Sequence, residues 1–250
     1  MTDEEKFSFD LEGYLVVKDV LTADEMTSLN AVADRFAAEN GDPGTSTISR
    51  VSQWGPGFQA LMDHHKIVPY LIDLLGPKFR IDHDYCIFMK KGAARGGLHG
   101  GETDSEADHW YKYRDGVMRN GLTVVTYFLS PAGPGDGGFA CIPGSHKSNF
   151  IDRLPRDVRR FERDAHYVVQ PEADAGDALI FTEALIHGTR PWTADYDRRA
   201  LLYKYSPGHS AWSQGYYDPE EYPDLTDQQL RLMAPPSVGR RPNTVEIHDT

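Results

Sequence analysis

Cysteine is scarce. The 250-residue chain has two, Cys86 and Cys141, which excludes a disulfide framework and a Cys-rich zinc site. Long apolar runs are missing as well: no stretch approaches the roughly 20 consecutive apolar residues of a membrane-spanning helix. Positive charge is in deficit, with 26 Lys plus Arg against 38 Asp plus Glu and a formal net charge of −12. Such a surface disfavours a nucleic-acid polymer or an anionic membrane as partner, yet a few local Arg and Lys can still dominate one pocket. The opening residues Met1 to Lys6 are acidic with no apolar run behind them, so no secretory leader is expected and the expected address is the cytoplasm. Internal repeats and low-complexity segments are absent.

What is there suits a single domain over 1–250. Residues 7–20 read as short extended pieces around Gly13. Thr22-Ala-Asp-Glu25 is a capping box, predicting an amphipathic helix to about Glu39, stopped by Asn40-Gly41. Residues 41–57, rich in Gly, Ser and Thr, read as a loop, and 58–75 as a helix ended by Gly76-Pro77. Beyond 78 the texture changes to strands at 79–89, 122–129, 138–142, 166–169, 178–181 and 200–205, separated by turn signals. Helices followed by many short strands predict an α+β layout, mainly β, with a sandwich or barrel at about 79–206. The segment 207–250 is expected to pack on that core, irregular apart from a short helix near 225–233.

Among the ten histidines, two stand in suggestive surroundings. His99 sits in Gly96-Gly-Leu-His-Gly-Gly101, where glycines leave room beside the imidazole. His187 follows Gly176-Asp-Ala-Leu-Ile-Phe181 by a short connection, with Arg198-Arg199 beyond it. Two His with open coordination positions suit non-haem iron(II), and an Arg on a neighbouring strand suits a carboxylate held bidentately. His64 and His65 read as exposed or capping residues of the 58–75 helix, and His146 as a structural hydrogen-bonding His. His83, His109, His166, His209 and His248 have no supporting pattern.

The stretch from about 80 to 206 resembles the phytanoyl-CoA dioxygenase family of iron(II)/2-oxoglutarate oxygenases. The resemblance rests on Leu98-His99 after a Gly-rich turn, on Gly135-Asp-Gly-Gly-Phe-Ala-Cys-Ile-Pro-Gly-Ser-His-Lys147, on Gly176 to Phe181, on His187-Gly188 and on Arg198-Arg-Ala-Leu-Leu-Tyr203. Gly13 to Val17 with the capped helix matches the family's opening. The resemblance implies a double-stranded β-helix (a cupin-like jelly roll) with flanking N-terminal helices. It implies Fe(II), 2-oxoglutarate and O2 as cofactors, His99 and His187 as iron ligands, and Arg198 as the residue pairing with the 5-carboxylate of 2-oxoglutarate. Arg199 is the reserve candidate, on the opposite face of a strand.

The family pattern is His-x-Asp or His-x-Glu, and here the acid's place is taken by Gly101. Halogenases that resemble this family carry Gly or Ala there, because a missing carboxylate leaves room for chloride and its negative charge. Chlorination of an unactivated C–H bond, with Gly101 at the halide site, is therefore the first expectation. The alternatives are a hydroxylase using Glu102 or Asp104 as third ligand and a noncatalytic ligand-binding relative. The substrate is expected to be a small molecule, with Arg50, Arg80, Lys90, Lys91, Arg95 and Arg119 available for an anionic one such as a nucleotide, phosphate ester or carboxylate. Trp54, Phe58, Tyr111, Tyr113, Trp192 and Trp212 are candidates for stacking, and 41–57 and 102–120 are candidate lids.

Overall fold

The computed structural model describes residues 1–40, 47–101, 103 and 106–246. The chain opens with helix α1 (Asp3–Glu12), not with extended pieces. Thr2 caps it, its side chain accepting from the Glu5 N–H while Glu5 reaches back to the Thr2 N–H, and Gly13 ends it in the left-handed conformation. Phe9 on this helix is fully buried. Strand β1 (Tyr14–Val17) and helix α2 (Ala23–Asn40) follow. The Thr22–Glu25 box forms as its sequence predicts.

The loop expected over 41–57 is largely structured where it is described. Strand β2 (Thr47–Ser49) is followed by a 3-10 turn at 51–54 and helix α3 (Pro56–Ala60). The expected 58–75 helix is broken. After a second 3-10 turn at 61–63, His64 is extended (φ −53°, ψ 125°) and the chain restarts as α4 (Val68–Leu75). Pro69 explains the restart: a proline is tolerated in a first helical turn and disfavours a helix running through it. His64 is buried at this break, with its carbonyl accepting from Ile67 and Val68, so it is neither exposed nor helical.

The remaining strands are β3 (Arg80–Met89), β4 (Tyr111–Arg114), β5 (Val117–Asn120), β6 (Thr123–Phe128), β7 (Gly138–Cys141), β8 (Ala178–Thr182), β9 (His187–Arg190) and β10 (Arg198–Ser206), with short helices α5 (Arg156–Arg159) and α6 (Asp227–Met233). The expected strand at 166–169 contributes only one bridge, Val169 to Cys141. Residues 111–120 of the candidate lid are the β4–β5 hairpin, while Glu102, Asp104 and residues 41–46 lie outside the described residues.

The major sheet runs β1-β8-β6-β10-β3-β2, antiparallel throughout. The minor sheet is β7–β9, extended by bridges from His99 to His187 and from Val169 to Cys141. The two form a jelly roll. Strand alternation divides the major sheet's side chains. Leu201, Tyr203, Val125, Tyr127, Ala178 and Ile180 pack towards the helices. Ala200, Leu202, Val124, Phe128, Leu179 and Phe181 face the interior, where Phe139, Cys141 and Trp192 meet them. The C-terminal segment is fastened over the strands: Asp82 accepts from the backbone N–H groups of Trp212 and Ser213, and the Arg241 guanidinium donates to the carbonyls of Lys78 and Leu232. No helix among the described residues is long and apolar enough to cross a membrane.

His146 joins α1 to the jelly roll. Its Nε2 donates to the Asp10 carbonyl at 3.0 Å, and its buried Nδ1 has no hydrogen-bond partner among the described residues. Burial, aided by Lys147, pushes its pKa down to about 4. Because the unfolded-state value is about 6.5, the stabilisation is complete above that pH and is lost as pH falls towards 4. Between about pH 7.5 and about pH 5 the chain should lose about 2 kcal/mol from this group. Chemical denaturation of wild type and His146→Gln at both pH values checks this; identical pH slopes would contradict it.

Candidate metal centre

His99 and His187 meet across a two-residue bridge. Each backbone N–H donates to the other's carbonyl at 2.8 Å, and the imidazole centroids are 4.4 Å apart. In both rings Nδ1 is engaged by a nearby carbonyl, Gly97 at 3.0 Å for His99 and Leu185 at 2.8 Å for His187. That contact fixes Nδ1 as the protonated nitrogen and leaves the Nε2 lone pair available to a metal. Burial pushes the His187 pKa down to about 4, Glu183 opposing and His99 adding to the effect. The imidazole is therefore neutral, the form that ligates a metal.

A third group stands with them. Ligand atoms of His99, Glu183 and His187 all lie within 4.8 Å of one another. Glu183 is on the turn between β8 and β9, four residues before His187, and is 2% exposed. Its Oε1 accepts from Lys204 Nζ at 2.6 Å, while Oε2 lies 3.7 Å from His187 Nε2 and 3.9 Å from His109 Nε2. Burial would raise its pKa, but the Lys204 ammonium, with His187 and His109, holds the carboxyl well below the usual range. Neither Glu183 nor His109 carries a local sequence signal. For Glu183 the only hint is its four-residue spacing from His187. His109 is buried, with neither ring nitrogen hydrogen-bonded among the described residues, and its Nε2 also lies 3.5 Å from Glu106 Oε2.

The glycines after His99 have a packing reason. Gly100 and Gly101 have φ of +114° and +88°, a region that disfavours residues with a Cβ. A Cβ on Gly100 would collide with the Leu185 carbonyl oxygen, and one on Gly101 with the Ile151 side chain. The Gly101 N–H donates to the Glu183 carbonyl at 3.1 Å. The segment thus lies flat against the turn that carries Glu183.

Arg198 points inward from the first position of β10 and is 3% exposed. Among the described residues no carboxylate pairs with it. Its Nη1 contacts only Met89 Sδ at 3.8 Å, and its Nε is buried without a partner. Burial, with Arg95 nearby, pushes its pKa down to about 10. A buried guanidinium without an anion is costly unless a ligand supplies one, so the residue fits the carboxylate of a bound dicarboxylic acid. Arg199 faces the other way and is already engaged by Asp34 at 2.5 Å and Asn30 at 2.9 Å.

Beside His99 lies a cavity of about 920 Å³, within the size range of small-molecule sites. His109, Glu106, Tyr111, Lys147, Asp152 and Arg159 are among its lining residues. Of the six basic residues expected to serve an anionic substrate, none lines it. Arg80 is buried against Asp82, Lys91 pairs with Asp195, and Arg119 is tied to the Asp73 carbonyl. Arg50 lies over the Tyr217 ring, and Lys90 and Arg95 lie away from the cavity wall. Of the proposed stacking aromatics only Tyr111 reaches the cavity. Trp54 stacks on Phe36, Phe58 and Trp192 are core residues, Trp212 stacks on His83, and Tyr113 is exposed on the hairpin.

A jelly roll with two opposed imidazoles, a buried carboxylate beside them and an unpaired inward arginine has the parts of a metal-dependent oxygenase. The chain belongs to the phytanoyl-CoA dioxygenase family, whose profile matches residues 9–200. It is similar to the ectoine dioxygenase of Sphingopyxis alaskensis, 22% identical over 210 residues that span 73% of this chain and 68% of the relative. Among solved structures, HygX from Streptomyces hygroscopicus with nickel and 2-oxoglutarate bound superposes with a TM-score of 0.75 at 26% identity, covering 85% of this chain and 90% of that one. EctD from S. alaskensis shares the fold with a TM-score of 0.65 at 20% identity, covering 82% and 76%.

The two glycines should differ in tolerance. Gly100→Ala meets an immovable carbonyl and should destabilise by about 3 kcal/mol, whereas Gly101→Ala meets a movable side-chain end and should cost about 1 kcal/mol beyond wild type. Denaturant midpoints of the two variants test this; equal costs would mean that the close backbone approach at Gly100 is absent.

Proposed function

We propose that this protein is an Fe(II)/2-oxoglutarate-dependent oxygenase that hydroxylates an unactivated C–H bond of a polar small molecule. The observation that carries the reading is the pair His99–His187, with both Nδ1 atoms engaged by carbonyls and with ligand atoms of both rings and of Glu183 within 4.8 Å of one another. His99 and His187 would hold iron, and Arg198 would pair with the distal carboxylate of 2-oxoglutarate. Bound iron with 2-oxoglutarate and O2 supplies an oxidant strong enough to break a C–H bond. In the overall reaction substrate C–H becomes C–OH, one oxygen atom enters the substrate, the other enters succinate, and CO2 leaves.

The protein's own contribution is orientation and charge. The Gly97 and Leu185 carbonyls hold each imidazole in one tautomer. Arg198 offers its charge from a dry interior, where a bidentate carboxylate pairing is strong. Phe139 and Phe181 pack on the His187 ring at centroid distances of 5.9 and 4.7 Å and keep water from its inner side. The cavity beside His99 presents Glu106 and Asp152 as well as Lys147 and Arg159. That mixture favours a polar, hydroxyl- or amine-bearing substrate over a simple polyanion. The relatives support this: HygX has been solved with hygromycin B bound, and the curated relative acts on ectoine.

Chlorination at Gly101 is the less supported reading. The absence of a side chain there follows from the positive φ and from packing against Ile151, so no halide is needed to explain it. The curated relative is a dioxygenase.

Succinate formation from 2-oxoglutarate, with Fe(II) and O2 and without a substrate or with aminocyclitols and small zwitterions as trial substrates, tests the function. Wild type should form succinate, His99→Ala should not, and Arg198→Met should raise the KM for 2-oxoglutarate on the order of 100-fold. Replacing chloride by nitrate should leave the hydroxylated product unchanged. A chlorinated product would restore the halogenase reading, and no succinate under any condition would favour a ligand-binding protein.

A further inference from the structure

We propose that the carboxylate completing the iron site is Glu183, donated from four residues before the second histidine and not from the segment following the first. This rests on the iron site proposed above and identifies its third protein ligand.

Position is the first argument. Metal–ligand bonds of about 2.1 Å place the ligand atoms of one ion about 3 to 4 Å apart. Glu183 Oε2 and His187 Nε2 are 3.7 Å apart, beyond a hydrogen bond yet suited to a shared ion. Among the described residues, His99, Glu183 and His187 are the one group of three or more His, Cys, Asp and Glu side chains arranged to hold a metal.

The second argument is how the carboxylate is held. Lys204 takes Oε1 at 2.6 Å and leaves Oε2 turned towards the two imidazoles of His187 and His109. One oxygen anchored by a charged donor and the other free is how outer partners orient a monodentate carboxylate ligand. Lys204 lies on the interior face of β10, six residues along from Arg198. One strand therefore carries both the group that positions Glu183 and the candidate for 2-oxoglutarate.

The third argument is the backbone. The Gly101 N–H bonds the Glu183 carbonyl, and Gly100 lies against the same turn. The glycine pair lets the His99 segment approach the Glu183 turn closely enough for residues from both to meet at one point. The missing acid at position 101 and the acid at 183 thus belong to one arrangement.

Titration calorimetry with Ni(II) under fixed pH and salt tests this, with Fe(II)–2-oxoglutarate charge-transfer absorption measured anaerobically as a second readout. His99→Ala and His187→Ala should abolish binding; normal binding in both would sink the iron site itself. Glu183→Gln should weaken Ni(II) binding at least 10- to 100-fold and shift or remove the absorption band, while Glu102→Gln and Asp104→Asn bind as wild type. If Glu183→Gln fails to fold, the double variant Glu183→Gln/Lys204→Met removes the buried pair together and should fold yet still bind weakly. Lys204→Met alone should retain binding within several-fold. Unchanged affinity in Glu183→Gln or in the double variant, with the histidine variants dead, would make Glu183 only a partner for Lys204. Loss confined to Glu102→Gln or Asp104→Asn would move the ligand to that segment.

Discussion

The reciprocal backbone bridge between His99 and His187 is the constraint on which the rest of the site depends. Two 2.8 Å hydrogen bonds lock residues from segments 88 positions apart into direct opposition, and side chains of directly opposed residues emerge on the same face. Neither imidazole can turn away without breaking its own Nδ1 contact with a carbonyl. Everything else in the neighbourhood serves that meeting. Gly100 and Gly101 allow the approach, the Thr182–Ile186 turn delivers Glu183, and Phe139 and Phe181 back the inner ring.

Charge is arranged around this point with unequal degrees of completion. Glu183 and Lys204 neutralise one another in a dry setting where either alone would be expensive. Burial keeps His187 neutral beside them. Arg198, by contrast, has no anion among the described residues, although it is as deeply buried as Glu183. The interior therefore has one internally balanced pair beside the two histidines and one cation without an anion among the described residues, the arrangement that the proposed binding of a dicarboxylic acid would use.

A mainly β sandwich or barrel is legible because its signals are local and repeated, strand alternation after residue 78 and the Gly-Asp turns; the jelly roll itself is what the resemblance carried by the motifs around His99, His146 and His187 implies. The Thr22–Glu25 box is legible and forms. Thr2–Glu5 is the same signal at the same spacing, but it has no amphipathic run behind it as clear as that of α2, and residues 7–12 are helical where extended chain is expected. The break at His64 follows from Pro69 in the first turn of α4. The family's His-x-Asp/Glu pattern directs attention to Glu102 and Asp104, which lie outside the described residues. Glu183 comes to the site through a turn and the Gly101 hydrogen bond, neither of which a linear pattern displays. His109 arrives from a segment with no periodicity, and the basic residues proposed for a substrate proved to be engaged elsewhere or outside the cavity wall, because their partners are distant in sequence.

The most direct test of the central claim is an anaerobic crystal structure with Fe(II) and 2-oxoglutarate at high chloride. The account predicts iron bound by His99 Nε2, His187 Nε2 and Glu183 Oε2, with the distal carboxylate of 2-oxoglutarate on Arg198 and no chloride on the metal. Chloride bound beside Gly101, or a carboxylate from Glu102 or Asp104 on the iron while Glu183 remains with Lys204, would contradict it.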